Sequence, residues 1–217
     1  MTVKARRILR QVPVVCVPKS REDSGSYVLT IVAQVIDRQR QELLELVFPM
    51  IRDRARLAEC WAAALKKIVT RLRAGEDVAF VTEGDPFIYS TFVHLYSLVR
   101  QRYPQLPVKV VPGVSSINAA AAAAGLPLVD GAERIAVLPA AYEDGQLAEV
   151  LKDFDAVVLL KVNRVFDRVL ALLEELDLAG RAVYVRRCGS SDQEIVRDIT
   201  RLRGKELDYL SLVIVRK

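Results

Sequence analysis

Short apolar runs recur along this chain with amphipathic helical stretches between them, and that alternation limits its fold more than any other feature. Strands spaced by helices imply a largely parallel sheet with helices on its faces, an α/β architecture. Val12 to Val17 is apolar almost without a break, as a strand buried on both faces would be. Similar runs predict strands at Val78 to Thr82, Val108 to Val111, Arg134 to Leu138, Asp155 to Lys161, Ala182 to Arg186 and Leu207 to Val215. From Arg54 to Arg73, Ala58, Trp61, Leu65, Ile68 and Leu72 recur at spacings of three and four, one apolar helix face that ends before Gly75. A second helix is expected from Ile88 to Arg102. A third contains Ala119 to Ala124, capped by Ser115 or Ser116 and stopped by Gly125 with Pro127 beyond. A fourth presents Phe166, Val169, Leu170, Leu173 and Leu176. Tyr27 to Asp37 stays open between strand, by its Val and Ile content, and helix, by its length. Gln193 to Ile199 is expected to form an antiparallel ribbon with the last run.

A boundary near residues 112–130 divides the 217 residues into halves of ordinary domain size. The expected domains are an N-terminal α/β domain over 1–112 and a C-terminal α/β domain with a mixed sheet over 113–217. With 52% hydrophobic residues, each half can bury a core of its own. The longest apolar stretch, Ala119 to Val129, is interrupted by Gly125 and Pro127 and falls short of the roughly 20 residues of a membrane span. No signal-peptide pattern opens the chain. Cys16, Cys60 and Cys188 are far apart, and with the single His94 they supply no metal pattern. A reducing cytoplasm and no structural metal are expected.

The net charge of +5 raises the question of nucleic acid. The basic residues are scattered among 27 acidic ones and no nucleic-acid motif is present, so an acidic small molecule is the better match. Two strand-to-helix turns carry glycine: Glu83-Gly84-Asp85-Pro86 and Pro112-Gly113-Val114-Ser115-Ser116. Ligands of open α/β sheets lie beyond the carboxyl ends of the strands, where such turns sit. The dinucleotide fingerprint and the P-loop are both missing. Hydrolytic chemistry lacks a Gly-x-Ser-x-Gly elbow and, with His94 on a helix face beside Tyr96, a paired histidine base.

Taken together, Gly84-Asp85-Pro86-Phe87-Ile88-Tyr89-Ser90-Thr91 and Val111-Pro112-Gly113-Val114-Ser115-Ser116, at this spacing and followed by an Ala-rich helix ending in Gly-Leu-Pro, resemble the paired signature of the tetrapyrrole methylases. Further segments are similar to the branch that acts on C20 of precorrin-2 or its cobalt form. They are Val17-Pro18-Lys19-Ser20, Glu45 to Met50, Leu160 to Phe166, Arg186-Arg187-Cys188-Gly189 and Asp208 to Leu212. The resemblance leaves open another tetrapyrrole carbon, or diphthine, as the methyl acceptor.

The resemblance implies two α/β domains with a cofactor cleft between them, S-adenosyl-L-methionine as cofactor with S-adenosyl-L-homocysteine as product, and a homodimer. It implies cofactor contacts at Gly84, Asp85, Pro86, Ile88, Ser90 and Thr91 from the first turn and at Ser116 and Ile117 from the second. Leu160, Lys161, Arg186 and Leu210 match its C-terminal positions near the adenosine. Arg164 and Arg187 are candidates for the carboxylates of an anionic tetrapyrrole, because guanidinium offers a bidentate fork. No membrane or nucleic-acid partner is implied, and no catalytic base is identified. Thr2 to Leu9 resembles the helix after the family's first strand and Gly-rich loop, so that strand and loop are expected to be missing here, and a binding scaffold without turnover is the corresponding alternative.

Overall fold

Val14 to Val17 have no exposed surface, and that places β1 (Val14–Lys19) at the middle of the first sheet. The computed structural model describes residues 1–51, 53–141 and 144–217. The chain divides into two compact units, Met1–Ser115 and Ser116–Lys217.

In the first unit β1 is paired in parallel on both sides, with β2 (Glu42–Val47) and β3 (Val78–Phe80). Its side chains alternate between two clusters, as the pleat requires. Val14 and Cys16 pack with Leu65, Ile68 and Val69 of α3 (Arg54–Arg73) and Leu95 and Val99 of α4 (Phe92–Arg102). Val15 and Val17 pack with Leu9 of α1 (Val3–Leu9) and Val28 and Val32 of α2 (Tyr27–Val32). Each such buried side chain contributes roughly 1.5–3 kcal/mol of transfer free energy. The open choice at Tyr27 is thereby resolved as a short helix.

The ends of α3 are where the sequence places them. Asp53 Oδ1 accepts from the N–H groups of Ala55 and Arg56 at 2.9 and 3.1 Å. At the other end Gly75 N–H donates to Leu72 O and Glu76 N–H to Arg71 O, a Schellman closure with Gly75 at φ +82°. Ala58 faces solvent rather than the core, whereas Trp61 and Leu72 pack against it as expected.

The second unit holds a five-stranded mixed sheet in the order β4-β5-β8-β6-β7: β4 (Ile135–Pro139), β5 (Ala156–Leu160), β8 (Ser211–Arg216), β6 (Ala182–Arg186) and β7 (Glu194–Val196). Only β4 and β5 run parallel. One face is covered by α6 (Asp144–Asp153), through Leu147 and Leu151, and by α7 (Phe166–Glu175), through Phe166, Val169, Leu170 and Leu173. On the other face α5 (Ser116–Ala124) lays Ile117, Ala120, Ala121 and Ala124 among Val158, Val183, Val185, Leu212 and Ile214.

Four expectations are corrected. Val108 to Val111 pairs in neither sheet, because no described strand offers it a ladder. The helix expected from Ile88 begins at Phe92: Tyr89 sits at φ +51°, and the side chains of Asp85 and Ser90 bond to the N–H groups of Phe87 and Phe92, which holds residues 88–91 in a turn. The last strand starts at Ser211 rather than Leu207, since Asp208 bends the chain by accepting from Leu210 N–H. The ribbon partner of β7 is β6, because both edges of β8 are taken by β5 and β6. The helix α6 had no counterpart in the sequence reading.

Candidate active site

The two glycine turns of the first unit meet at their backbones. Gly84 follows β3 at φ +65°, a left-handed conformation that favours glycine. Gly113 approaches it so closely that a Cβ there would lie 1.9 Å from the Gly84 carbonyl oxygen. Asp85 ties the two turns together: Oδ1 accepts from Phe87 N–H at 2.9 Å and Oδ2 from Gly113 N–H at 3.1 Å. A second link closes the loop behind them, where the hydroxyls of Thr82 and Ser90 share a hydrogen bond of 2.9 Å and Ser90 Oγ accepts from Phe92 N–H at 3.1 Å. Thr91 stands at the N-terminus of α4 without a side-chain cap. The structure therefore brings Gly84, Asp85, Pro86, Ile88, Ser90 and Thr91 into one braced loop.

The exposed lip of that loop is apolar. Phe87, Ile88 and Tyr89 are 49%, 43% and 50% exposed. Phe87 is backed by Phe92 and Tyr96, with ring centroids 6.0 and 5.3 Å away. Behind them Phe92, Phe80, Phe48 and Trp61 continue a row of aromatic contacts that ends at His94, 5.4 Å from Trp61.

In the second unit the candidate residues gather at one end of the sheet. Leu160 closes β5, and its carbonyl accepts from Ala140 N–H just past β4. Lys161 follows in the left-handed conformation at φ +58°, and Val162 to Arg164 make one 3-10 turn. Arg186 closes β6 opposite Ser211 of β8, and Arg187 N–H donates to Leu210 O at 2.8 Å. Ser116 is exposed at the start of α5, whereas Ile117 is buried in the core beside the sheet. The Ile117 side chain is therefore part of the core.

Residues 1–202 match the family model for tetrapyrrole (corrin/porphyrin) methylases. The chain belongs to that family. Its relatives include the probable cobalt-precorrin-2 C(20)-methyltransferase of Methanocaldococcus jannaschii, 32% identical over all of this chain and 90% of the relative. The cobalt-precorrin-2 C(20)-methyltransferase of Salmonella typhimurium is 30% identical, again over all of this chain and 90% of the relative. Among solved structures, the uroporphyrin-III C-methyl transferase of Thermus thermophilus complexed with S-adenyl homocysteine shares the fold, with a TM-score of 0.65 at 19% identity over all of this chain and 91% of that one.

The arginines of this methylase differ in availability. Arg187 Nε donates to Asp208 Oδ2 at 2.6 Å and its Nη1 lies 3.8 Å from Asp192. Arg186 is ion-paired with Glu194 at 3.2 Å. The Arg187 guanidinium is thus braced within the fold by Asp208. Arg164 is exposed and has no ion pair among the described residues. Burial alone would raise the Asp208 carboxyl, but the Arg187 guanidinium and the Leu210 N–H outweigh it and hold the group below the ordinary carboxylate range. Burial, followed by the charge of Glu42, pushes the Cys16 thiol up to about 12, so it is inert as a nucleophile.

Glu83 opens the first turn. Its residue is exposed, yet enough protein crowds its carboxyl to raise its pKa, with burial the sole cause. The signal for it was an acid at the carboxyl end of a strand. Thr82 and Asp208 carry no such signal, since Thr82 is joined to Ser90 and Asp208 to Arg187 only by the folded geometry. No group of His, Cys, Asp and Glu among the described residues could hold a metal ion, and no described helix is long and apolar enough to cross a membrane.

Proposed function

We propose that this methylase transfers a methyl group from S-adenosylmethionine to C20 of precorrin-2 or cobalt-precorrin-2 in cobalamin biosynthesis. What carries this reading is similarity that runs the whole length of the chain, at 32% and 30% identity, to two relatives named for that carbon of that ring. The donor-binding residues we assign are Gly84, Asp85, Pro86, Ile88, Ser90 and Thr91 in the first unit. In the second they are Ser116, Ile117, Leu160, Lys161, Arg186 and Leu210. The set suits such a ligand: backbone without a Cβ at Gly84, exposed apolar surface at Ile88, and an exposed Ser116 at a helix start.

The bound donor supplies an electrophilic methyl group on a sulfonium. An electron-rich tetrapyrrole carbon needs no protein nucleophile, so the chain's own task is alignment, which can remove roughly 7–11 kcal/mol of barrier. The braced Asp85 loop is suited to that task, because both of its oxygens are spent on holding backbone. Arg164 is the substrate-carboxylate residue that stays free to act. The protein works in the cytoplasm as a homodimer in this reading.

Titration calorimetry with S-adenosylmethionine, followed by turnover assays on precorrin-2 and on its cobalt form, tests the proposal. Binding and methylation of one of the two rings at C20 are expected. Donor binding with no transfer to either ring would leave a scaffold, and absence of donor binding would reject a methyltransferase of any kind.

A further inference from the structure

We propose that Lys19 is a positioning residue for acceptor specificity: it sets the loop from Ser20 to Ser26 as a wall of the site that receives the tetrapyrrole. This rests on the function proposed above and places the acceptor at the ends of β1 and β2, beside the donor loop.

The ammonium of Lys19 stands where three segments meet. Its side chain is only 8% exposed, and Nζ donates to Glu22 O at 2.6 Å and to Glu45 Oε2 at 2.7 Å. The first bond holds the loop after β1, and the second holds β2. The Lys19 carbonyl accepts from Phe48 N–H at 2.8 Å, where β2 runs on into Phe48-Pro49-Met50. Val17 to Ser20 and Glu45 to Met50 are two of the segments similar to the C20 branch, and the fold joins them at this one residue. Methylases that share a donor and differ in the carbon they modify must differ where the acceptor is held, and this joint is such a place.

The topology puts the joint beside the donor loop. β1 lies between β2 and β3 and runs parallel to both, so the loops that follow all three leave the sheet at one end. Ligands of parallel sheets lie at that end. Cys16 pairs with Phe80, and the two strands then run on to Lys19 and to Gly84, each at the start of its loop. The loop that Lys19 holds therefore emerges next to the loop that Asp85 braces.

The shape of the Lys19 loop does not depend on Lys19. Ser24 Oγ accepts from Arg21 N–H at 3.0 Å and donates to Arg21 O at 2.9 Å, and Ser26 Oγ donates to Pro18 O at 2.6 Å. What Lys19 adds is the position of the loop against β2. A buried ammonium is a costly tie, and an apolar side chain would serve a purely structural one as well. The loop also carries the right charge for an anionic ring. Arg21 is exposed, and its contact with Asp23 at 3.3 Å is a surface pair of the kind worth little, so its guanidinium is open to a ring carboxylate.

The test is steady-state methylation of precorrin-2 or its cobalt form by wild type, K19M, K19R and R21A, with S-adenosylhomocysteine affinity measured by calorimetry. K19M is expected to raise the Michaelis constant for the ring about tenfold while kcat stays within about twofold, the pattern of lost acceptor binding. K19R, which keeps the charge and the donors, should recover most of that loss, and S-adenosylhomocysteine affinity should be unchanged in all three variants. A Michaelis constant within about twofold of wild type in K19M would overturn the proposal, as would an S-adenosylhomocysteine affinity that falls in step with it. R21A decides the matter if K19M does not fold, because Arg21 is exposed and outside the buried joint: a rise of about threefold or more in the same constant supports the loop as the wall, and no rise overturns it. Failure of wild type to methylate either ring would instead sink the function, and this assignment with it.

Discussion

At Gly113 there is room for a hydrogen and nothing more. A methyl group would sit 1.9 Å from backbone, the Gly84 carbonyl, which cannot rotate away as a side-chain tip could. Gly113→Ala should therefore pry the two turns apart, at a cost of roughly 1–3 kcal/mol of stability, as overpacking generally does. Thermal unfolding and donor calorimetry together check this, and a variant with wild-type stability and affinity would show that the turns need not touch. Asp85→Ala removes the tie without adding bulk and strands two N–H groups. Its expected signature is donor affinity weakened about tenfold, equivalent to about 1.4 kcal/mol. Unchanged affinity would separate the brace from the binding site. The importance of both residues was legible only as a motif. That Asp85 reaches Gly113, 28 positions away, depends on a turn geometry no local pattern encodes.

Helices and strands were legible where local chemistry and burial agree. The 20 residues of α3 follow from a three-and-four apolar rhythm and a glycine stop, and β6 from a short apolar run. Legibility failed where a partner decides. Val108 to Val111 has strand composition without a neighbour to pair with, and the edge position of β7 is settled by β8 occupying the gap between β5 and β6. The turn leading into β8 is another such case, built by Asp208 on Arg187 and Leu210. A carboxyl held below its unfolded pKa, about 3.9 for aspartate, contributes stability that is present above that value and lost as pH falls through the folded one. Asp208→Asn should thus lower the melting temperature at pH 7, and the gap to wild type should narrow as pH drops below about 4. A gap that stays constant down to acid pH would mean the Asp208 carboxylate charge does not support this turn.

Across the whole molecule the net charge of +5 invites reading as a nucleic-acid surface, yet it is the small remainder of 32 basic and 27 acidic residues. Several of the basic residues are paired with acidic neighbours, which leaves the excess of five unchanged. Arg71 pairs with Glu42, Arg203 with Glu174, Arg216 with Glu133, and Arg186 and Arg187 with Glu194 and Asp208. What stays available is a smaller set that includes Arg164, beside the carboxyl end of β5. A ring with several carboxylates should feel that charge, and the attraction should be screened once the Debye length falls from about 10 Å at 0.1 M salt to a few ångströms near 1 M. The Michaelis constant for the tetrapyrrole should then rise several-fold over that range while kcat holds. Arg164→Ala should raise it at low salt and flatten its salt dependence, because one of the charges being screened is already gone. Arg187→Ala should act differently, lowering thermal stability through Asp208 before it affects substrate affinity. If Arg164→Ala left the salt response intact and Arg187→Ala abolished it, the division between an arginine that meets substrate and one that holds the fold would have to be reversed.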